Sequence, residues 1–329
     1  MSRKIPAVVQ SLAALQKIHG IALVLTALLV GANGAAATRL HGFDVTAALV
    51  PVAELRPGGP PRDGIPALTD PAFVAADRAS HLKPADRVLG VRVNGVAKAY
   101  PLGIMNWHEI VNDQFAGVPV AVTYCPLCGT GVAFSATVDG RRQLFGVSGL
   151  LYNSDVVLYD RESESLWSQL LGKAISGPRR GVKLQPLATS NTSWSDWHTR
   201  HPDTLVLSRD TGHERNYATD PYGDYARTGE LMFPVRFRTY GMHPKQPVLG
   251  IEIEGRAVAY PLSELAQAGA LIEDRIGSVA VRVRYDATHQ TAEVSTADGV
   301  GLPGVIAYWF AWYAFHPETA VFRAASSRR

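Results

Sequence analysis

The sequence predicts a strand-rich α+β fold built from two diverged copies of one β-rich unit with short helices. Three observations predict it. First, Val88-Leu89-Gly90, Gly95 and Ala99-Tyr100-Pro101-Leu102 return at an offset of 160 as Val248-Leu249-Gly250, Gly255 and Ala259-Tyr260-Pro261-Leu262. Second, one further residue of slip aligns Asp113 with Asp274 and Tyr124 with Tyr285. Third, Trp194-x-x-Trp197-x-x-x-His201-Pro202-x-Thr204 returns at an offset of 115 as Trp309-x-x-Trp312-x-x-x-His316-Pro317-x-Thr319. Three matches in one order read as an internal repeat. The shorter last offset implies that the second copy lacks a hairpin-rich insert.

From the N-terminus, Arg3, Lys4 and Lys17 are the only basic residues before Thr38, and no acidic residue precedes it. An apolar run, Ile21 to Val30, then leads to Ala35-Ala36-Ala37. This is the order of a secretory signal peptide, with cleavage expected after Ala37 and a periplasmic or extracellular destination. The alternative is an uncleaved anchor starting at Ala7, which Gln10, Gln16, Lys17 and His19 would interrupt. Residues 38–84 form a Pro/Gly-rich extension, with a loop at 56–64.

Residues 85–210 form the expected first lobe. Val88 to Val93 and Ala97 to Tyr100 read as strands joined by the Asn94-Gly95 turn. Pro101 to Val111 reads as a short helix. Val118 to Tyr124 is a valine-rich strand running into Cys125-Pro126-Leu127-Cys128-Gly129, and further strands are expected at 131–136, 142–147 and 155–160. Residues 211–244 read as a linker and 245–329 as a second, degenerate lobe.

The length of 329 residues fits two domains, and 47% hydrophobic against 19% charged residues excludes a disordered chain. Taking the three basic residues of 1–37 from the 32 in the chain leaves 29 against 29 acidic groups. A neutral mature chain offers no basic stripe for nucleic acid, and no charge-based reason to bind a membrane beyond the export signal. The expected partner is therefore a small molecule or a protein.

The repeat separates fold from function. Tyr100/Tyr260, Gly95/Gly255 and the tryptophan helices occur in both copies and read as core. Cys125, Cys128 and His108 occur in one, opposite Asp286, His289 and Gly269. Two thiols three residues apart close too small a loop to staple a fold. With His108 on the preceding helix they form a three-ligand set for zinc or copper(I). Met105 shares the face of His108, and Glu109 adjoins it. Polar and aromatic runs that can line a pocket are Tyr152-Asn153-Ser154-Asp155, Arg161, Trp167, Gln169, Asp220 and Tyr222. The expected function is an exported metal-binding protein, with metal-dependent oxidoreductase as one activity such a site can serve. The alternatives are a non-catalytic binding or scaffold module with structural zinc or a local disulfide, and a thiol–disulfide exchange protein. Exchange is disfavoured because strand rather than helix is expected after Cys128.

Asn106-Trp107-His108-Glu109-Ile110-Val111-Asn112-Asp113, Tyr124-Cys125-Pro126-Leu127-Cys128-Gly129, Leu151-Tyr152-Asn153-Ser154-Asp155, Leu166-Trp167-Ser168-Gln169 and Asp220-Pro221-Tyr222-Gly223 together resemble domain-of-unknown-function family 3179. The resemblance covers about residues 85–250, and more loosely the rest. It implies an exported protein and marks these runs as the family's hallmark, and it brings no activity with it.

Overall fold

The computed structural model describes residues 37–325. The expected signal segment, apart from Ala37, lies outside the described residues. Within 37–325 strands take 42% and helices 13%. The strands form five sheets of three or more strands and two short ribbons.

The Asn94-Gly95 turn is present. Both residues have positive φ, 49° and 83°, as a two-residue hairpin requires, and Val93 pairs with Val96 across it. The hairpin Arg87–Val93/Val96–Pro101 lies inside a five-stranded sheet completed by Thr189–Ser193, Leu205–Leu207 and Phe73–Ala75. A second five-stranded sheet runs Pro186–Leu187, Thr130–Ser135, Val118–Cys125, Ile110–Phe115, Leu68–Thr69. A third runs Lys173–Ser176, Leu166–Ser168, Asp155–Asp160, Phe145–Tyr152, Leu55–Pro57. The C-terminal part supplies a four-stranded sheet around Pro247–Ile253 and a three-stranded sheet around Val279–Asp286.

Two diverged copies of one unit are not what this chain builds. The five larger sheets take up a five-bladed β-propeller arrangement. The described residues from Arg39 on form one compact unit, and strands from the two halves pack on each other, Thr130–Ser135 against Val305–Tyr308 and Thr189–Ser193 against Thr291–Thr296. Three of the blades are finished by strands of two or three residues from the N-terminal 55–75 stretch, too short to be read from a pattern. The matched sequence runs reflect a local packing requirement instead. A Cβ on Gly90 would lie 2.2 Å from the Trp197 ring, and one on Gly250 equally close to Trp312. A tryptophan laid flat on a strand needs glycine beneath it wherever that contact is made.

The helix expected over 101–111 spans only Leu102–His108. Glu109 turns left-handed at φ 58°, its N–H closes the helix on the Met105 carbonyl at 2.8 Å, and the β-branched Ile110 and Val111 begin the next strand. The strand expected over 142–147 is displaced to Phe145–Tyr152.

Candidate metal centre and adjoining cavity

The Val118–Cys125 strand ends in the core, and Cys125 to Cys128 form a tight turn whose Cys128 N–H reaches the Cys125 carbonyl at 3.2 Å. Both cysteines are free and buried. Opposite them, Asn153 and Ser154 turn the hairpin between Phe145–Tyr152 and Asp155–Asp160, both at positive φ, 51° and 67°. That turn brings the Ser154 carbonyl within 3.3 Å of Cys128 Sγ and 3.8 Å of Cys125 Sγ, and both thiols donate to it. It also delivers Asp155. One ligand atom from each of Cys125, Cys128 and Asp155 lies within 4.8 Å of the other two, all three residues buried.

The electrostatics follow from burial. Burial pushes both thiols up, Cys128 far up. It holds the Asp155 carboxyl up at about 7, against the hydrogen bond from the Leu170 N–H at 3.1 Å and those of the thiols. Glu109, buried and bonded by the Tyr222 hydroxyl at 3.2 Å, is likewise held up at about 7 by burial.

His108 is not in this group. Its Nδ1 lies 2.8 Å from the Pro66 carbonyl and its Nε2 2.7 Å from the Tyr217 hydroxyl. A carbonyl only accepts, so Nδ1 carries the proton, and Nε2 accepts from Tyr217. Neither nitrogen has a lone pair to spare for a metal. Burial, with His213 and Arg215 nearby, pushes the imidazole down to about 4. Asp155, read from the sequence as a pocket residue, is the third member of the group.

The other residues named from sequence divide in two. Gln169 braces the cysteine turn from behind: it accepts from Thr130 Oγ1 at 2.7 Å and donates to Thr123 Oγ1 at 2.9 Å. Asn153 donates to the Ala314 carbonyl at 3.2 Å and accepts from the Arg236 N–H at 2.9 Å, which ties the turn to the C-terminal helix. Met105 is core. Trp167 is core too, its Nε1 on Asp160 at 2.9 Å. Tyr152 packs edge-on to Phe315. Arg161 pairs with Asp63 at 3.1 Å, away from the thiols, and Asp220 holds its own turn through the Tyr222 N–H at 2.9 Å.

Beside the cluster is a cavity of about 420 Å³. Glu109, Leu127 of the cysteine turn and Val156 next to Asp155 line it, together with Tyr222 and Arg215.

The model of the family described as protein of unknown function (DUF3179) matches residues 62–301. The chain belongs to that family. No curated protein and no solved structure matches it. The DUF3179 match takes in Cys125, Cys128, Asp155 and Glu109, and it ends before a further contributor, Tyr308. The Tyr308 N–H donates to the Cys128 carbonyl at 2.8 Å, and its ring lies about 3.0 Å from where a Gly129 Cβ would stand. Sequence reading placed no site in the C-terminal part and so missed Tyr308, which only the strand packing brings here. Tyr225 was missed as well. It shares the core of the two cysteines and is held by Lys245, whose ammonium donates to the carbonyls of Tyr225, Thr228 and Glu230 at 2.5, 2.9 and 2.6 Å. A second group among the described residues, Asp196, Asp286 and His289, is already engaged in hydrogen bonds. Arg200 and Thr192 bond Asp196, and Ser193 bonds His289.

Proposed function

We propose that the chain is an exported metal-binding protein that holds one zinc ion through Cys125, Cys128 and Asp155 and keeps a fourth position for water or a substrate group. The observation that carries this is the approach of two sulfurs and a carboxylate oxygen to within 4.8 Å in a buried setting. Three protein ligands with one open position is the pattern of catalytic rather than structural zinc. The donor set favours zinc over copper(I), because a carboxylate is a poor ligand for the softer ion. In such a site the metal polarises a bound water or carbonyl, and the Glu109–Tyr222 pair on the cavity wall supplies a proton acceptor or donor. Redox cycling of the ion itself would need copper in place of zinc, which the same measurement separates. Export rests on the sequence pattern of residues 1–37.

Thiol–disulfide exchange has less support. It calls for a thiol made acidic by a helix N-terminus or a cation. Here burial pushes both thiols up, and a strand, Thr130–Ser135, follows the turn.

The test is metal content by mass spectrometry with a parallel thiol titration on protein purified without affinity metals. About one zinc per chain, with thiols reactive only after chelation, is expected. A metal-free protein that takes up neither zinc nor copper, and cycles a Cys125–Cys128 disulfide, would replace the metal reading with exchange.

A further inference from the structure

The cavity lining is largely apolar, with one buried acidic side chain, Glu109, and one exposed cationic one, Arg215. Leu127, Val156, Ile65 and Phe233 give it an apolar body. Glu109 is buried, and the Tyr222 hydroxyl holds one of its carboxyl oxygens. Arg215 is exposed and is the one cationic side chain in the lining. The Arg215 guanidinium lies 5.9 Å from the Trp107 ring centroid, and its one hydrogen bond among the described residues is to the neighbouring Glu214 carbonyl. No carboxylate among the described residues pairs with it. A volume of about 420 Å³ is within the range of small-molecule pockets.

We propose that this cavity binds a small monocarboxylic acid with an apolar body, its carboxylate on Arg215 and its tail against Leu127, Val156, Ile65 and Phe233. Guanidinium is the side chain best shaped to hold a carboxylate by two parallel hydrogen bonds. The apolar walls recover hydrophobic free energy from the tail. Glu109 disfavours a carboxylate turned toward it, since that group would face a second carboxyl, and Arg215 is the one cationic side chain in the lining. The inference names a ligand class for the cavity next to the proposed metal. It does not depend on the metal, because none of these contacts runs through Cys125, Cys128 or Asp155.

The test is calorimetric titration of octanoate and of its uncharged match octanamide into the whole chain, once as purified and once after chelation. Octanoate is expected to bind saturably in both states, at least tenfold more tightly than octanamide. Arg215→Gln is expected to remove that preference and leave octanamide unchanged. Arg215 is exposed and makes no core contact, so this variant folds. Absence of octanoate binding overturns the proposal. Equal binding to the wild type and Arg215→Gln overturns it also. Octanoate binding that vanishes on chelation and ignores Arg215→Gln would put the carboxylate on the metal, which contradicts this inference and leaves the metal reading standing.

Discussion

The Cys128 thiol points at the Ser154 carbonyl, 3.3 Å away and 26 residues along the chain. The contact exists because Ser154 sits in a two-residue hairpin turn at φ 67°. The sulfur therefore meets a backbone atom, and the side chain of Ser154 is left over: its hydroxyl is buried and has no hydrogen-bond partner among the described residues.

Replacing Ser154 by glycine should accordingly stabilise the protein. Glycine removes a left-handed strain of about 1–2 kcal/mol and an unsatisfied hydroxyl, partly offset by the entropy glycine adds to the unfolded chain. A gain of about 1 kcal/mol is expected in urea unfolding, with metal stoichiometry unchanged. A loss of stability would mean that the hydroxyl has a partner essential to the fold.

Gly90→Ala should cost about 1–3 kcal/mol, the usual penalty for overpacking a rigid core. The added methyl would lie 2.2 Å from the Trp197 ring, which is fully buried and fixed by its Nε1 bond to Thr204 Oγ1 at 2.9 Å. Denaturant midpoints of the single variant and of Gly90→Ala with Trp197→Leu check the cause. The double variant should cost less than the two single changes added together.

Much of the local structure was legible, and the places where reading stopped have physical reasons. Asn94-Gly95 declares its turn because both positions need positive φ. Cys125-x-x-Cys128 declares a strand end for the same kind of local reason. The choice of His108 over Asp155 could not be read locally. A helix–strand return does bring His108 near, but its ring is claimed by Pro66 and by Tyr217, 109 residues away. Asp155 starts a strand in a different sheet from the one that ends at Cys125, and it reaches the thiols only because those two sheets pack together. The sheet arrangement escaped for a related reason: the Gly90–Trp197 and Gly250–Trp312 contacts repeat a hairpin-and-helix motif, which looks in sequence like a repeated domain.

The buried, neutral His108 makes a pH prediction. Its folded pKa lies near 4, below the unfolded value of 6.5. The unfolded chain then binds the extra proton, so this contribution to stability is whole above about pH 6.5 and is lost as pH falls toward 4. The slope is at most about 1.4 kcal/mol per pH unit. His108→Gln should flatten the dependence of the urea midpoint between pH 7 and 5 relative to the wild type. Parallel curves would show that the imidazole is not buried in neutral form.

Lys245 should guard the thiols. Its ammonium gathers three carbonyls of the 225–230 turn and lies 3.5 Å from the Tyr225 ring centroid. Lys245→Met leaves those carbonyls without their donor and loosens the cover over Cys125 and Cys128. Labelling of the cysteines by a thiol reagent in chelated protein should speed up at least tenfold. An unchanged rate would mean that reagent reaches the thiols by another path.

The most direct measurement of the central claim is zinc stoichiometry in Asp155→Asn set beside His108→Gln, both purified as folded protein and assayed for bound metal under the same chelator competition. Ligation by Cys125, Cys128 and Asp155 predicts that Asp155→Asn loses the ion or binds it at least tenfold more weakly, while His108→Gln keeps about one zinc per chain. Loss of zinc in His108→Gln with retention in Asp155→Asn would contradict the account and return the third ligand to the imidazole.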